Sequence, residues 1–296
     1  MSELTKISFS NANSRETYFT VHNVKEAHKL SKGKGIKVGV IDRSFAMNEN
    51  KWLYSGCIDL TGVSKELYEC DGHGLTMATV LKEIVPQSEI YAINAINFDE
   101  DKAFEEQDEK RSEYLIKAFD WAIENKIDIL TYSYAKFADK FRDNINDAIT
   151  KVVENGIITT FIHCDSDNNI YPYGCLKFCN DEKFRREPDV NIYHFDYNTL
   201  FTEQYERYNI AKKKGEIIRS GNDLPYFSFS SMSPVLGGFV ALLKSKNNLL
   251  TSEECKEILK KTSYEIIDKG ENWYNLNPCP RVVDIGKALQ FLLSKN

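Results

Sequence analysis

Ile36-Lys-Val-Gly-Val-Ile-Asp42 is the stretch from which the fold is read. It is short, β-branched and nearly unbroken in apolar residues, as a parallel strand buried on both faces must be, and it ends on a carboxylate. Asp42 therefore stands at the carboxyl end of a strand, the edge of an open α/β sheet where ligands and reacting groups collect. An aspartate in that place also serves simply to turn the chain, so Asp42 alone decides nothing.

Working outward, Val24 to Leu30 reads as a short helix broken by Lys32-Gly-Lys-Gly35, and residues 1–23 form a polar N-terminal extension without periodicity. Downstream, residues 45–69 read as loop, and Asp71-Gly-His-Gly74 leads into a helix over 75–84 that Val85-Pro86 ends. A strand over 89–96, a charged stretch from Asp99 to Arg111 read as a solvated loop, and an amphipathic helix over 113–125 follow. A strand over 127–132 leads to Ser133, a helix over 138–154 ends at Gly156, and a strand over 157–162 reaches His163-Cys-Asp165. Strand and helix alternate, which predicts a three-layer α/β fold: a mostly parallel sheet flanked by helices with right-handed crossovers. Residues 166–227 carry only weak strand signals near 191–195 and 224–229; apolar Val235 to Leu243 and helices near 252–262 and 283–294 close the chain. No repeat or linker divides it, so residues 1–296 are expected to form one domain.

The 296 residues are 42% hydrophobic and 28% charged, with a net charge of -6. That balance allows a sizeable core and supplies no basic footprint for nucleic acid or an anionic membrane. Neither partner is expected. The N-terminus lacks a basic segment followed by an apolar run and no long uncharged apolar stretch occurs, which points to the cytoplasm. Seven scattered cysteines fit reduced thiols, and the close pair Cys175 and Cys179 has no matching His or Cys pair for zinc.

Two further residues draw attention. His73 lies between two glycines at a helix start, where the space around an imidazole that moves protons stays open. Ser230, in Ser228-Phe-Ser-Ser-Met-Ser-Pro234 ahead of the apolar segment, sits where helix N–H groups and dipole can stabilise an oxyanion, although serine is also an ordinary helix cap.

Together, Gly35 to Asp42, Asp71-Gly-His-Gly74, Val85-Pro86, Asp128 to Ser133, and Ser230 with Pro234 resemble, in order and spacing, the motif blocks of the subtilisin-like serine peptidases. The resemblance implies that Ser230 is the nucleophile, His73 the base and Asp42 the group that orients the imidazole. It implies that Ser133-Tyr134-Ala135 pairs with an extended substrate. Ser133 would line the cleft rather than react.

The departures carry as much information. Asp165 takes the place of the family's oxyanion-hole asparagine unless Asn168 or Asn169 reaches it, and an ionised carboxylate donates no hydrogen bond. In subtilisin the loss of such a donor costs on the order of 10² to 10³ in turnover. Gly-Thr-Ser around the nucleophile becomes Ser228-Phe229-Ser230, Asp-Thr-Gly becomes Asp42-Arg43-Ser44, and His-Gly-Thr-His becomes His73-Gly-Leu-Thr76. Ala135, Ile162, His163 and Cys164 crowd the specificity pocket, which implies a small side chain on the acyl side of the cleaved bond.

The short stretch ahead of the first block implies an intracellular member without propeptide. No acidic constellation matches the family's calcium sites, so no cofactor is predicted and calcium is left open. Two functions follow. One is a slow, selective endopeptidase that cleaves a particular protein or peptide precursor; the alternative is a weak or inactive pseudopeptidase that binds a peptide or regulatory partner. The sequence sets no oligomeric state.

Overall fold

The computed structural model describes residues 22–70, 72–97, 103–133, 138–161, 175–177, 230, 232–265 and 281–295. Six strands form its main sheet: β1 (Lys37–Asp42), β2 (Gly56–Asp59), β3 (Glu89–Asn94), β4 (Ile129–Tyr132), β5 (Ile158–Phe161) and β6 (Cys175–Lys177). Their order is β2-β3-β1-β4-β5-β6, and every pairing is parallel. From β1 the chain passes to β2, returns to place β3 between them, then crosses to add β4, β5 and β6 in turn on the other side. The reversal falls between β1 and β4, and in open parallel sheets the crevice at the carboxyl ends of such strands is where ligands bind.

Side chains alternate across the sheet and so define two cores. Val38, Val40, Ile90, Ala92, Ile129 and Ile158 face one layer of helices: α1 (Val24–Leu30), α3 (His73–Ile84), α6 (Met232–Lys244), α7 (Ser252–Thr262) and α8 (Ile285–Leu293). Ile41, Ile93, Leu130, Tyr132 and Phe161 face the other, formed by α4 (Phe104–Glu124) and α5 (Arg142–Glu154). The three-layer α/β expectation holds.

The glycine pair of α6 permits close approach to its neighbours. A Cβ at Gly237 would stand 2.5 Å from Thr131 Cγ2, and one at Gly238 would stand 2.7 Å from Ile84 Cγ2 of α3. Two absent side chains thus let α6 wedge between β4 and α3.

Several expectations need correction. The segment over 45–69 contains β2, an edge strand, and the short helix α2 (Ser64–Tyr68). β2 was hidden because all four of its residues, Gly-Cys-Ile-Asp, are only half-buried and show no clear alternation. The charged stretch is not a loop beyond Phe104: α4 runs from there to Glu124. Its buried stripe of Leu115, Phe119 and Ala122 continues toward the N-terminus as Arg111 and Gln107, both buried, where Arg111 donates to Asp108 Oδ1 and Gln107 Oε1. A helical stripe continued in polar residues escapes a search for apolar periodicity. The N-terminal extension also stops short of residue 23, since buried His22 bonds the Val283 carbonyl at 2.9 Å and Asn23 donates to Asp284 Oδ1. A second, antiparallel ladder joins β7 (Tyr264–Glu265) to β8 (Arg281–Val282). The strands expected near 191–195 and 224–229 lie outside the described residues.

Gly237→Ala separates helix propensity from packing. Propensity favours alanine by about 1 kcal/mol, whereas forcing a methyl against Thr131 costs about 1–3 kcal/mol. Denaturant unfolding should show a net loss of stability; a gain would mean that α6 can withdraw from the sheet.

Candidate active site

Asp42 closes β1 and is 2% exposed. Its Oδ1 accepts the Arg43 N–H at 2.9 Å, and its Oδ2 lies 2.7 Å from His73 Nδ1. His73 is the first residue of α3, whose N-terminus has no side-chain cap. The first amides of α3 are satisfied from the turn that follows β1 instead: Gly74 N–H donates to the Arg43 carbonyl at 2.7 Å and Leu75 N–H to the Ser44 carbonyl at 3.0 Å. A Cβ at Gly74 would sit 2.4 Å from the Arg43 oxygen. The glycines beside His73 therefore serve close approach, Gly74 to the Arg43 carbonyl and Gly72 to the Ser44 side chain, rather than open space around the ring.

The electrostatics of His73 are a contest. Burial pushes its pKa down, while the Asp42 carboxylate, through its charge and its hydrogen bond, pushes it up; Arg43 opposes Asp42 weakly, and the outcome is a pKa above the ordinary imidazole value. With a carboxylate as partner, Nδ1 carries the proton and Nε2 is the acceptor.

Ser230 is half-buried two residues ahead of α6, and its carbonyl accepts from Ser133 Oγ at 2.8 Å. Ser133 directly follows β4, and β4 is paired with β1 so that Tyr132 opposes Ile41. Ser133 and Asp42 thus end adjacent strands about 4.8 Å apart, which brings Ser230 to the same rim as Asp42 and His73. Ser133 is 6% exposed, and its hydroxyl holds the Ser230 carbonyl.

Two further residues escape sequence reasoning. Buried Ser233 accepts the Tyr132 N–H at 3.1 Å and donates to the Thr160 carbonyl, and Thr160 Oγ1 donates to the Ser233 carbonyl at 2.9 Å. These bonds tie the start of α6 to the ends of β4 and β5. Ser233 looks like one more serine of a polar run and Thr160 like a strand residue; only contacts 73 residues apart in sequence distinguish them. Tyr134, Ala135, Ile162, His163, Cys164 and Asp165 lie outside the described residues, as do Asp71, Asn168 and Asn169. Among the described residues no three His, Cys, Asp or Glu side chains group as metal ligands, and no helix is long and apolar enough to cross a membrane.

Solved structures share this architecture. The chain aligns over 97% of its length with 89% of the MycP3 protease of the type VII (ESX-3) secretion system, at a TM-score of 0.64 and 14% identity. It aligns over 98% with 98% of a lanthipeptide protease, at a TM-score of 0.58 and 14% identity. The fold is subtilisin-like. Identity this low speaks for the fold alone. In sequence, 146 residues, 46% of the chain, are 27% identical to the minor extracellular protease Epr of Bacillus subtilis (strain 168), and they span 21% of that protein. No protein-family model matches the chain.

On this subtilisin-like frame the state of His73 can be read without assuming any activity. In an NMR titration its midpoint should lie above the ordinary value of about 6.5, and Asp42→Asn should bring it below, because burial then acts unopposed. A midpoint that ignores the substitution would show that the pair is not coupled in solution.

Proposed function

We propose that the protein is a subtilisin-like serine endopeptidase acting on a particular peptide or protein precursor. The observation that supports this most is the hydrogen bond of 2.7 Å between buried Asp42 and His73 at the rim where the Ser133 hydroxyl holds Ser230. In the proposed reaction His73 Nε2 takes the Ser230 proton as Oγ attacks the peptide carbonyl. The imidazolium, stabilised by Asp42, then gives that proton to the departing amine, leaving an acyl-serine. Water, deprotonated by the same nitrogen, releases the acid and restores the serine. These three side chains need no cofactor for the chemistry. Cleavage of a chosen precursor is in keeping with the structural likeness to a lanthipeptide protease, and the bulkier residues that the sequence has at Ala135, Ile162, His163 and Cys164 would suit a small residue at the cut. Among the described residues, the thiols of Cys57 and buried Cys255 are in keeping with a reducing, intracellular setting.

A fluorophosphonate probe should label the wild-type chain and not Ser230→Ala. Because neutral imidazole is the base, labelling should rise with pH through the His73 midpoint, above the ordinary value of about 6.5. No labelling between pH 5 and 9 would remove the proposal.

A second reading, a pseudopeptidase that binds a peptide, draws on one departure: Asp165 stands where the family has its oxyanion asparagine. Asp165→Asn should raise turnover on the order of 10² if a missing donor is what limits the enzyme. An unchanged rate, with peptide still bound by Ser230→Ala, would favour the binding role.

A further inference from the structure

Ser44 adopts a backbone conformation that a side chain disfavours. Its φ is 59°, in the left-handed region where Cβ crowds the carbonyl and glycine is the usual occupant. Glycine is also what the subtilisin-like pattern Asp-Thr-Gly has at this position, whereas this chain reads Asp42-Arg43-Ser44. The conformation matters because the Ser44 carbonyl receives the Leu75 N–H of α3 at 3.0 Å, the bond next to the one that Arg43 accepts from Gly74. Relaxing Ser44 toward ordinary φ values would turn that carbonyl away and free the turn of helix that carries His73.

What holds Ser44 there is Glu66. The Ser44 hydroxyl donates to Glu66 Oε2, and the Glu66 carbonyl accepts the Phe45 N–H at 3.1 Å, so one residue of α2 grips both sides of the turn. Gly72 closes the arrangement from below, since a Cβ there would lie 2.9 Å from Ser44 Cβ. We propose that Glu66 is a positioning residue for the Asp42–His73 pair: by binding the Ser44 hydroxyl it maintains the left-handed turn that aims the Ser44 carbonyl at α3, and so fixes the imidazole against Asp42. Its consequence for catalysis rests on the peptidase reading; its consequence for His73 does not.

The test pairs an NMR titration of His73 with the rate of fluorophosphonate labelling in the full chain. Glu66→Ala should move the His73 midpoint down, away from its Asp42-raised value, and slow labelling on the order of tenfold or more. Glu66→Gln, whose amide oxygen still accepts from Ser44, should behave like the wild type. Ser44→Gly combined with Glu66→Ala should recover both readouts, because glycine takes this φ unaided. The inference is overturned if Glu66→Ala leaves the midpoint in place, or if the double variant is as impaired as Glu66→Ala alone. Should Glu66→Ala not fold, the double variant decides: a wild-type midpoint supports the inference and a lowered one overturns it. If the wild-type chain takes up no probe while the midpoint still falls with Glu66→Ala and returns in the double variant, the peptidase reading fails and the positioning role stands.

Discussion

Two backbone hydrogen bonds organise this protein, those from the first amides of α3 to the carbonyls of Arg43 and Ser44. A helix N-terminus exposes amides that need acceptors, and a strand leaving a sheet edge offers carbonyls that need donors. Joining the two satisfies both without any capping side chain. It also fixes the distance between the last residue of β1 and the first residue of α3, which is why Asp42 and His73 meet. The contact between the side chains is a consequence of a bond between main chains.

The same economy governs the approach of α6. Gly237 and Gly238 bring its axis close to β4, β5 and α3, and at that range short hydroxyls span the gap. Ser233, Thr160 and Ser133 then bond across it, and each links the start of α6 to a strand end. Buried hydroxyls left without partners would be costly, so the network is satisfied only in one register of helix on sheet. Ser230 inherits its place from that register.

Charge is handled in a similar way on the opposite face. α4 brings Arg111 into the interior, where Asp108 and Gln107 surround its guanidinium, and buried Ser112 accepts the Ala138 N–H at 2.9 Å. A residue that is strongly polar in isolation becomes part of a core once its partners lie within one turn of the same helix. Both helical layers thus carry a polar section, one at the start of α6 and the other toward the N-terminal end of α4.

The sequence by itself determined the alternation of strands and helices, the central place of the Ile36 to Ile41 run, and the order Asp42, His73, Ser230, because hydrophobic periodicity and residue chemistry are local properties. Tertiary structure alone decided that Ser44 keeps a glycine-like turn under the hold of Glu66, and that Ser133 and Ser233 serve the backbone around Ser230. It also decided that a run of charges is helix and that four inconspicuous residues form the edge strand β2. Each of these depends on a partner far away in the chain, and the free energy of a hydrogen bond or a close contact does not exist until folding brings that partner into reach.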